Sequence, residues 1–272
     1  MSDKTTKHLD DQMRVNRSIW KDTNQKGDLY NTDKSIKYAE YIEDDDPELL
    51  EKIKNIDKVT PFVKVFHEDI YATLSTMHEE GFRSPPPLLI NPGNNNFPIP
   101  GVKKGAFGPE MDLFRRSNYH LALEEQQFSI LEYQCLYSPT VVIFKNEQFK
   151  RMENPVSISI LNIPPLHSPR LISMQNPKGK GYIEVFDSPN DEEKARRKIH
   201  MMFKIAILHG HDTIVLTNYG GDINGNPTEK TIELINEAAR IYPIHYVFFA
   251  IKTNELREKD KEFHLYHAHV QR

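Results

Sequence analysis

The chain has 272 residues, 38% of them hydrophobic and 27% charged. That is enough apolar content to bury a core and excludes a disordered chain; the length fits one large α/β domain or two small ones. Lys and Arg number 35 against 39 Asp and Glu, a formal net charge of −4, which gives no overall attraction to nucleic acid or to an anionic membrane.

Residues 1–11 are polar and lack the apolar core of a signal peptide. No apolar run approaches the ~20 residues needed to span a bilayer. Cys135 is the one cysteine, so no intrachain disulfide can form. A protein of a reducing, cytoplasmic compartment is expected, without membrane or nucleic-acid partners.

Residues 9–25 read as a helix with a thin apolar stripe of Met13, Ile19 and Trp20. The acidic run Glu43-Asp44-Asp45-Asp46 before Pro47 reads as a solvated loop and helix start. From Thr60 onward strands and helices alternate. Residues 62–66 form a short apolar strand, and Glu68-Asp69 opens a helix carrying Ile70, Leu74 and Met77 that stops at Gly81. After three prolines, Leu88-Leu89-Ile90 is a second strand. The loop from residue 91 to 109 is too long for a simple connector, and residues 111–127 read as helical. Strands are expected at 141–144 and 157–161, and a hairpin over 171–186 with its turn at 176–181. Asn190 with the acids behind it reads as an N-cap for a helix bearing Ile199, Met202, Phe203 and Ala206. Residues 213–216 form a strand, Thr228 caps a helix with Ile232, Ile235 and Ala239 inward, and 244–251 is the last clear strand. This alternation predicts a mixed, largely parallel sheet covered by helices.

Two loops concentrate the chemistry. The first follows the 213–216 strand and contains Tyr219, Gly220, Gly221, Asp222, Asn224, Gly225 and Asn226 ahead of a capped helix. Glycines let backbone N–H groups approach a phosphate closely, and a helix start behind them adds unpaired donors and partial positive charge. The segment is neither a P-loop nor a dinucleotide fingerprint, since it lacks the Gly-Lys-Ser/Thr and the glycine spacing those require. It also resembles an ordinary glycine-rich turn. The second loop runs from Asn91 and Asn94 through Gly101, Gly105 and Ala106 to Glu110 and Asp112 at a helix start. A carboxylate beside a sugar suits glycosidic chemistry, whose transition state is cationic. On spacing alone Glu110 is equally a first-turn acid favouring the helix dipole. His264, His267 and His269 lack matching acids or a cysteine, so they read as a frayed tail rather than a metal site, and no metal or cofactor is expected.

Six segments, in order, resemble the microbial-type poly(ADP-ribose) glycohydrolases, whose catalytic domain is a macrodomain. They are Asn16-Arg17 with Thr23; residues 63–69; Gly105-Ala106 through Glu110 to Ser117; residues 137–144; Gly225-Asn226-Pro227; and residues 247–251. The resemblance implies a macrodomain-like three-layer α/β/α fold with a mixed central sheet. It implies an N-terminal helical extension over residues 1–58 packed on a domain of residues 59–272. It implies ADP-ribose, free or on a modified protein, as the ligand, with Asn91 and Asn94 near the distal ribose.

The chain also departs from the family. The family's glycine triplet is shortened to Pro100-Gly101-Val102, and its Gln-Glu-Glu motif reads Pro109-Glu110-Met111, so the catalytic acid is replaced by Met111. Asp222 stands at an expected glycine and Asn224 at an expected aromatic residue. The acids available for catalysis are Glu110, Asp112 and Asp222. The leading expectation is an ADP-ribosyl hydrolase, with arginine-linked ADP-ribose favoured because an acidic cluster would pair with a guanidinium. A non-catalytic ADP-ribose reader and a protein–protein module on the same fold are the alternatives.

Overall fold

A computed structural model describes residues 3–24, 40–43, 51, 59–82, 85–123, 128–177, 181–221, 224–252 and 261–270. Its strands are β1 (Glu40–Glu43), β2 (Phe62–Phe66), β3 (Leu88–Asn91), β4 (Gln134–Lys145), β5 (Arg151–Asn162), β6 (Leu171–Gln175), β7 (Tyr182–Phe186), β8 (Thr213–Leu216) and β9 (Tyr246–Ala250). Seven of them form one sheet in the order β1-β4-β5-β3-β8-β9-β2, and β6 pairs with β7 in a separate hairpin. From β5 to β2 neighbouring strands are parallel, whereas β4 and β1 add antiparallel pairings at one edge. The sheet is mixed and largely parallel, as the alternation of elements predicts.

The helices are α1 (Asp3–Thr23), α2 (Ile70–Glu79), α3 (Ile99–Lys104), α4 (Pro109–Arg116), α5 (Pro189–Leu208), α6 (Thr228–Ile241) and α7 (Lys261–His269), with a 3₁₀ turn at Tyr119–Ala122. No helix among the described residues is long and apolar enough to cross a membrane. The central strands are buried on both faces, which is why they read as continuous apolar runs. Their side chains alternate between two cores. Leu88, Ile90, Ile214, Leu216, Val247 and Phe249 meet α5, α6 and Tyr266 of α7. Leu89, Val215 and Phe248 face the opposite way, toward Trp20, Leu74, Met77, Leu113 and Phe114. The result is three layers, helices on either side of one sheet.

Local chemistry sets several boundaries. Asp69 caps α2 by accepting from the backbone N–H groups of Tyr71 and Ala72, each at 3.0 Å, a cap worth ~1 kcal/mol. The helix expected over 111–127 instead starts at Pro109 and stops at Arg116. Ser117 turns extended, its hydroxyl donates back to the Leu113 carbonyl, and it bridges to Ile143 before the 3₁₀ turn. The strands read as 141–144 and 157–161 are the cores of two much longer antiparallel strands, closed by a tight turn in which the Asn146 side chain accepts from Gln148 and Lys150. Pro139 hid this continuity; it sits at a register shift between Ser138 and Val141, where a missing N–H costs nothing. Ser188, not Asn190, occupies the N-cap of α5, with Pro189 first in the helix, and Pro227, not Thr228, occupies the N-cap of α6.

The terminal segments also differ from expectation. Residues read as a frayed tail form α7, whose Tyr266 is fully buried and donates to Asn218 at 3.0 Å. The N-terminal segment contributes β1 to the sheet edge as well as a helix. Helix α1 docks largely through polar contacts, which explains its thin apolar stripe. Buried Lys145 reaches Asp22 at 2.6 Å and Thr23 at 2.8 Å, Thr23 donates to the Arg115 carbonyl at 2.5 Å, and Asn16 donates to the Gly105 carbonyl at 3.1 Å.

Candidate functional site

In an open parallel sheet, the loops leaving the carboxyl ends of neighbouring strands converge on one rim. Strands β3 and β8 are adjacent, with Leu88 opposite Ile214 and Leu89 opposite Val215. The loops after them, carrying the two sequence segments singled out above, therefore leave the sheet side by side, about 4.8 Å apart at their roots. The loop after β5 joins them, since the Ser168 N–H donates to the Asn224 carbonyl at 2.8 Å.

Glu110 is the second residue of α4. Its carboxyl turns inward, away from the solvent a helix-capping acid usually faces. Asn91, last in β3, donates from Nδ2 to Glu110 Oε1 at 3.1 Å. Burial pushes the Glu110 carboxyl from 4.5 up to about 7; hydrogen bonds from the Asn91 side chain and the Asn94 backbone oppose that rise. Desolvation disfavours the charged form and outweighs two donors. An acid that is half ionised near neutral pH can give or take a proton with little penalty.

Gly93 makes this pocket possible. A Cβ at that position would stand 2.3 Å from Glu110 Oε1, 2.4 Å from Asn162 Oδ1 and 2.9 Å from Asn91 Nδ2. Asn162, last in β5 and in register with Asn91, is fully buried. Tyr119, from the turn behind α4, is also fully buried; burial drives its hydroxyl well above the ordinary phenol range, with the Glu110 charge adding to the rise.

The other predicted residues fall into three groups. Asp112 does not join Glu110: it lies on another face of α4 and pairs with buried Arg115 at 2.9 Å. Arg115 also donates to the Ala106 carbonyl, which ties the 105–108 turn to the helix. Gly101 packs against Met111, whose Sδ would be 3.4 Å from a Cβ there. Gly105 has φ +85°, and a Cβ would meet the Met13 carbonyl of α1 at 2.3 Å. Asn94 is exposed beyond β3.

In the glycine loop, Gly220 has φ +78° with the Asn226 side chain stacked on it. Asn226 donates from Nδ2 to the carbonyls of Leu166 at 2.7 Å and Gly220 at 2.9 Å. Gly221 lies against the Asn218 amide, which α7 holds through Tyr266 and Glu262. Asn224 closes onto the Gly221 carbonyl at 3.2 Å, and Gly225, at φ +66°, faces open space. Tyr219 points into the core. Asp222 lies outside the described residues. The described part of the loop is thus braced from below by two asparagines and leads into the start of α6, whose N-terminus favours an anion.

Sequence reasoning named Glu110, Asn91 and the glycine loop as candidates; the structure adds Gly93, Asn162 and Tyr119 to the surroundings of Glu110. The available signal was a polar residue, Asn162, directly after the apolar pair Ile160-Leu161.

No model of a known protein family matches the chain, and no curated protein matches it by sequence. Solved structures do. The chain is similar to the poly(ADP-ribose) glycohydrolase of Thermomonospora curvata, with a TM-score of 0.73, 16% identity, and 94% of this chain and 100% of that chain covered. Against the same enzyme bound to the inhibitor ADP-HPD the TM-score is 0.70, at 15% identity, covering 94% of this chain and 99% of that one. The Deinococcus radiodurans poly(ADP-ribose) glycohydrolase in complex with ADP-ribose gives a TM-score of 0.66 at 17% identity, covering 85% of this chain and 93% of that one. The architecture is therefore the macrodomain-like three-layer α/β/α fold.

Proposed function

We propose that this protein binds ADP-ribose at the rim formed by the loops after β3, β5 and β8, and that it hydrolyses the bond joining ADP-ribose to a modified protein. The observation that carries this is Glu110: a half-buried carboxyl held by Asn91 at the rim, whose burial raises its pKa to about 7. The glycine loop supplies the diphosphate cradle. Protonated Glu110 gives its proton to the leaving atom of the acceptor as the anomeric C–N or C–O bond breaks. Water adds to the oxocarbenium carbon and returns a proton to the Glu110 carboxylate.

Arginine-linked ADP-ribose is the preferred substrate in this reading, because a carboxylate near the scissile bond pairs with a guanidinium. Asp222 is the acid that would carry that preference, since Glu110 enters the reaction protonated and Asp112 is engaged by Arg115. Hydrolysis of arginine-linked and glutamate-linked ADP-ribosyl proteins is measured with the wild type, Glu110→Gln and Asp222→Asn. The proposal expects arginine-linked turnover that falls at least about 10²-fold in Glu110→Gln. No turnover of either substrate by the wild type would overturn it.

One observation favours a non-catalytic ADP-ribose reader. Met111 packs its thioether against α3 and supplies neither proton nor charge to the rim. Tight ADP-ribose binding without turnover is the outcome that selects this second reading.

A further inference from the structure

Asn162 is fully buried, and neither atom of its amide has a hydrogen-bond partner among the described residues. Such a group is costly, and in native structures it has a reason. Its neighbour in register, Asn91, is committed, with Nδ2 donating to Glu110. Asn162 is uncommitted, yet it lies at the same point in space: its Oδ1 and Glu110 Oε1 are both within 2.4 Å of the position a Gly93 Cβ would fill. The missing side chain at Gly93 leaves a carboxyl oxygen and this amide oxygen bordering the same small space, which a side chain would otherwise fill.

An amide exchanges donor for acceptor by turning over about its last torsion, with no change of shape. An amide anchored by other bonds cannot do so; Asn162 is anchored by none. We propose that Asn162 is a positioning residue for Glu110, accepting the proton of the neutral acid through Oδ1 and, after the amide turns over, donating through Nδ2 to the carboxylate. A group that must be acid in one half of a reaction and base in the other needs a partner fitting both forms. This inference rests on the proposal that Glu110 moves the proton in hydrolysis.

Among the described residues, the groups placed about Glu110 are Asn91 and the Asn94 backbone from β3 and its loop, Asn162 from β5 across the space at Gly93, and Tyr119 from the turn behind α4. Of these only Tyr119 titrates, far above neutral pH. A change in Glu110 titration on altering Asn162 therefore comes from the lost amide, either its hydrogen bond or its polarity, and rescue by a hydroxyl separates the two. A hydrogen bond to an ionised group is roughly twice as strong as one between neutral groups. Losing the amide thus harms the carboxylate more than the acid.

The experiment is a carboxyl ¹³C NMR titration of the free protein, with the Glu110 signal assigned by its loss in Glu110→Gln. In Asn162→Leu the Glu110 pKa should rise by about one unit, a tenfold loss of ionisation. Asn162→Thr, whose hydroxyl both donates and accepts, should return it toward the wild-type value. An unchanged Glu110 titration in a folded Asn162→Leu protein would overturn the inference. Should that variant fail to fold, the near-isosteric Asn162→Asp decides. A carboxyl facing Glu110 must split the titration into two coupled steps, and two independent, unshifted titrations would count against the inference. No ligand is needed, so this result stands apart from the hydrolysis reading. That reading fails separately if ADP-ribose does not bind or if Glu110→Gln keeps full turnover.

Discussion

A buried acid with a raised pKa taxes the fold, and the tax depends on pH. The unfolded Glu110 carboxyl titrates near 4.5 and the folded one at about 7. Below pH 4.5 it is protonated in both states and costs nothing. Between 4.5 and 7 the unfolded chain ionises freely while the folded protein retains its proton, so stability falls as pH rises. Above 7 the full penalty is present. At about 1.36 kcal/mol per tenfold change in ionisation, the displacement corresponds to roughly 3 kcal/mol, a sizeable share of a typical domain's ~5–15 kcal/mol. Glu110→Gln removes the titration and keeps the shape. Its amide meets Asn91 differently, which adds an offset that does not vary with pH. Urea unfolding of both proteins from pH 4 to pH 8.5 therefore isolates the effect. The stability of Glu110→Gln relative to wild type should rise across that range by about 3 kcal/mol, nearly all of it between pH 4.5 and 7. A difference that stays flat with pH would show that the carboxyl is hydrated, and the case for it as a proton-transfer group would lose its footing.

Other consequences concern the glycines and Met111. In Gly105→Ala the new Cβ meets the Met13 carbonyl at a positive φ; thermal unfolding should show a loss of about 2 kcal/mol or more, because α1 is forced off α3. The Cβ of Gly225→Val meets no neighbouring atom, so the change should cost mainly backbone strain, ~1–2 kcal/mol, and yet abolish ADP-ribose binding by calorimetry; unchanged affinity would move the diphosphate elsewhere. Gly221→Val is the harsher change, since its Cβ strikes Asn218, and should lose stability together with binding. Poly(ADP-ribose) chains should be degraded about 10²–10⁴-fold more slowly than by enzymes with glutamate at the Met111 position; comparable rates in a chain-length assay would contradict the role assigned to that residue.

Much of the fold was legible because its signals are local. Asp69 ahead of Ile70, Leu74 and Met77 announced α2, and the short runs at 88–90 and 213–216 announced strands, which the fold covers on both faces. What misled was chemistry resolved by distant partners. Ser117 ends α4 by bridging to β4, against the helical composition that follows it. The long β4–β5 pair passes through Pro139 by shifting register. Helix α7 has little amphipathic pattern of its own; it is held by Tyr266 and by Asn236 bonding the His269 carbonyl. The candidate site divides in the same way. Glu110 and the glycine loop carry local marks, whereas Asn162 joins Glu110 only through strand register and the space left by Gly93. Asp112, two residues from Glu110 in sequence, faces elsewhere because a helix turns about 100° per residue.

Isothermal titration of the wild-type protein with ADP-ribose, with ADP and ribose 5-phosphate in parallel, tests the central claim most directly. The account predicts saturable one-to-one binding of ADP-ribose, weaker binding of ADP and of ribose 5-phosphate, and loss of all three in Gly225→Val. An absence of binding heat with ADP-ribose up to concentrations on the order of millimolar would contradict it and leave the fold serving contacts with another protein.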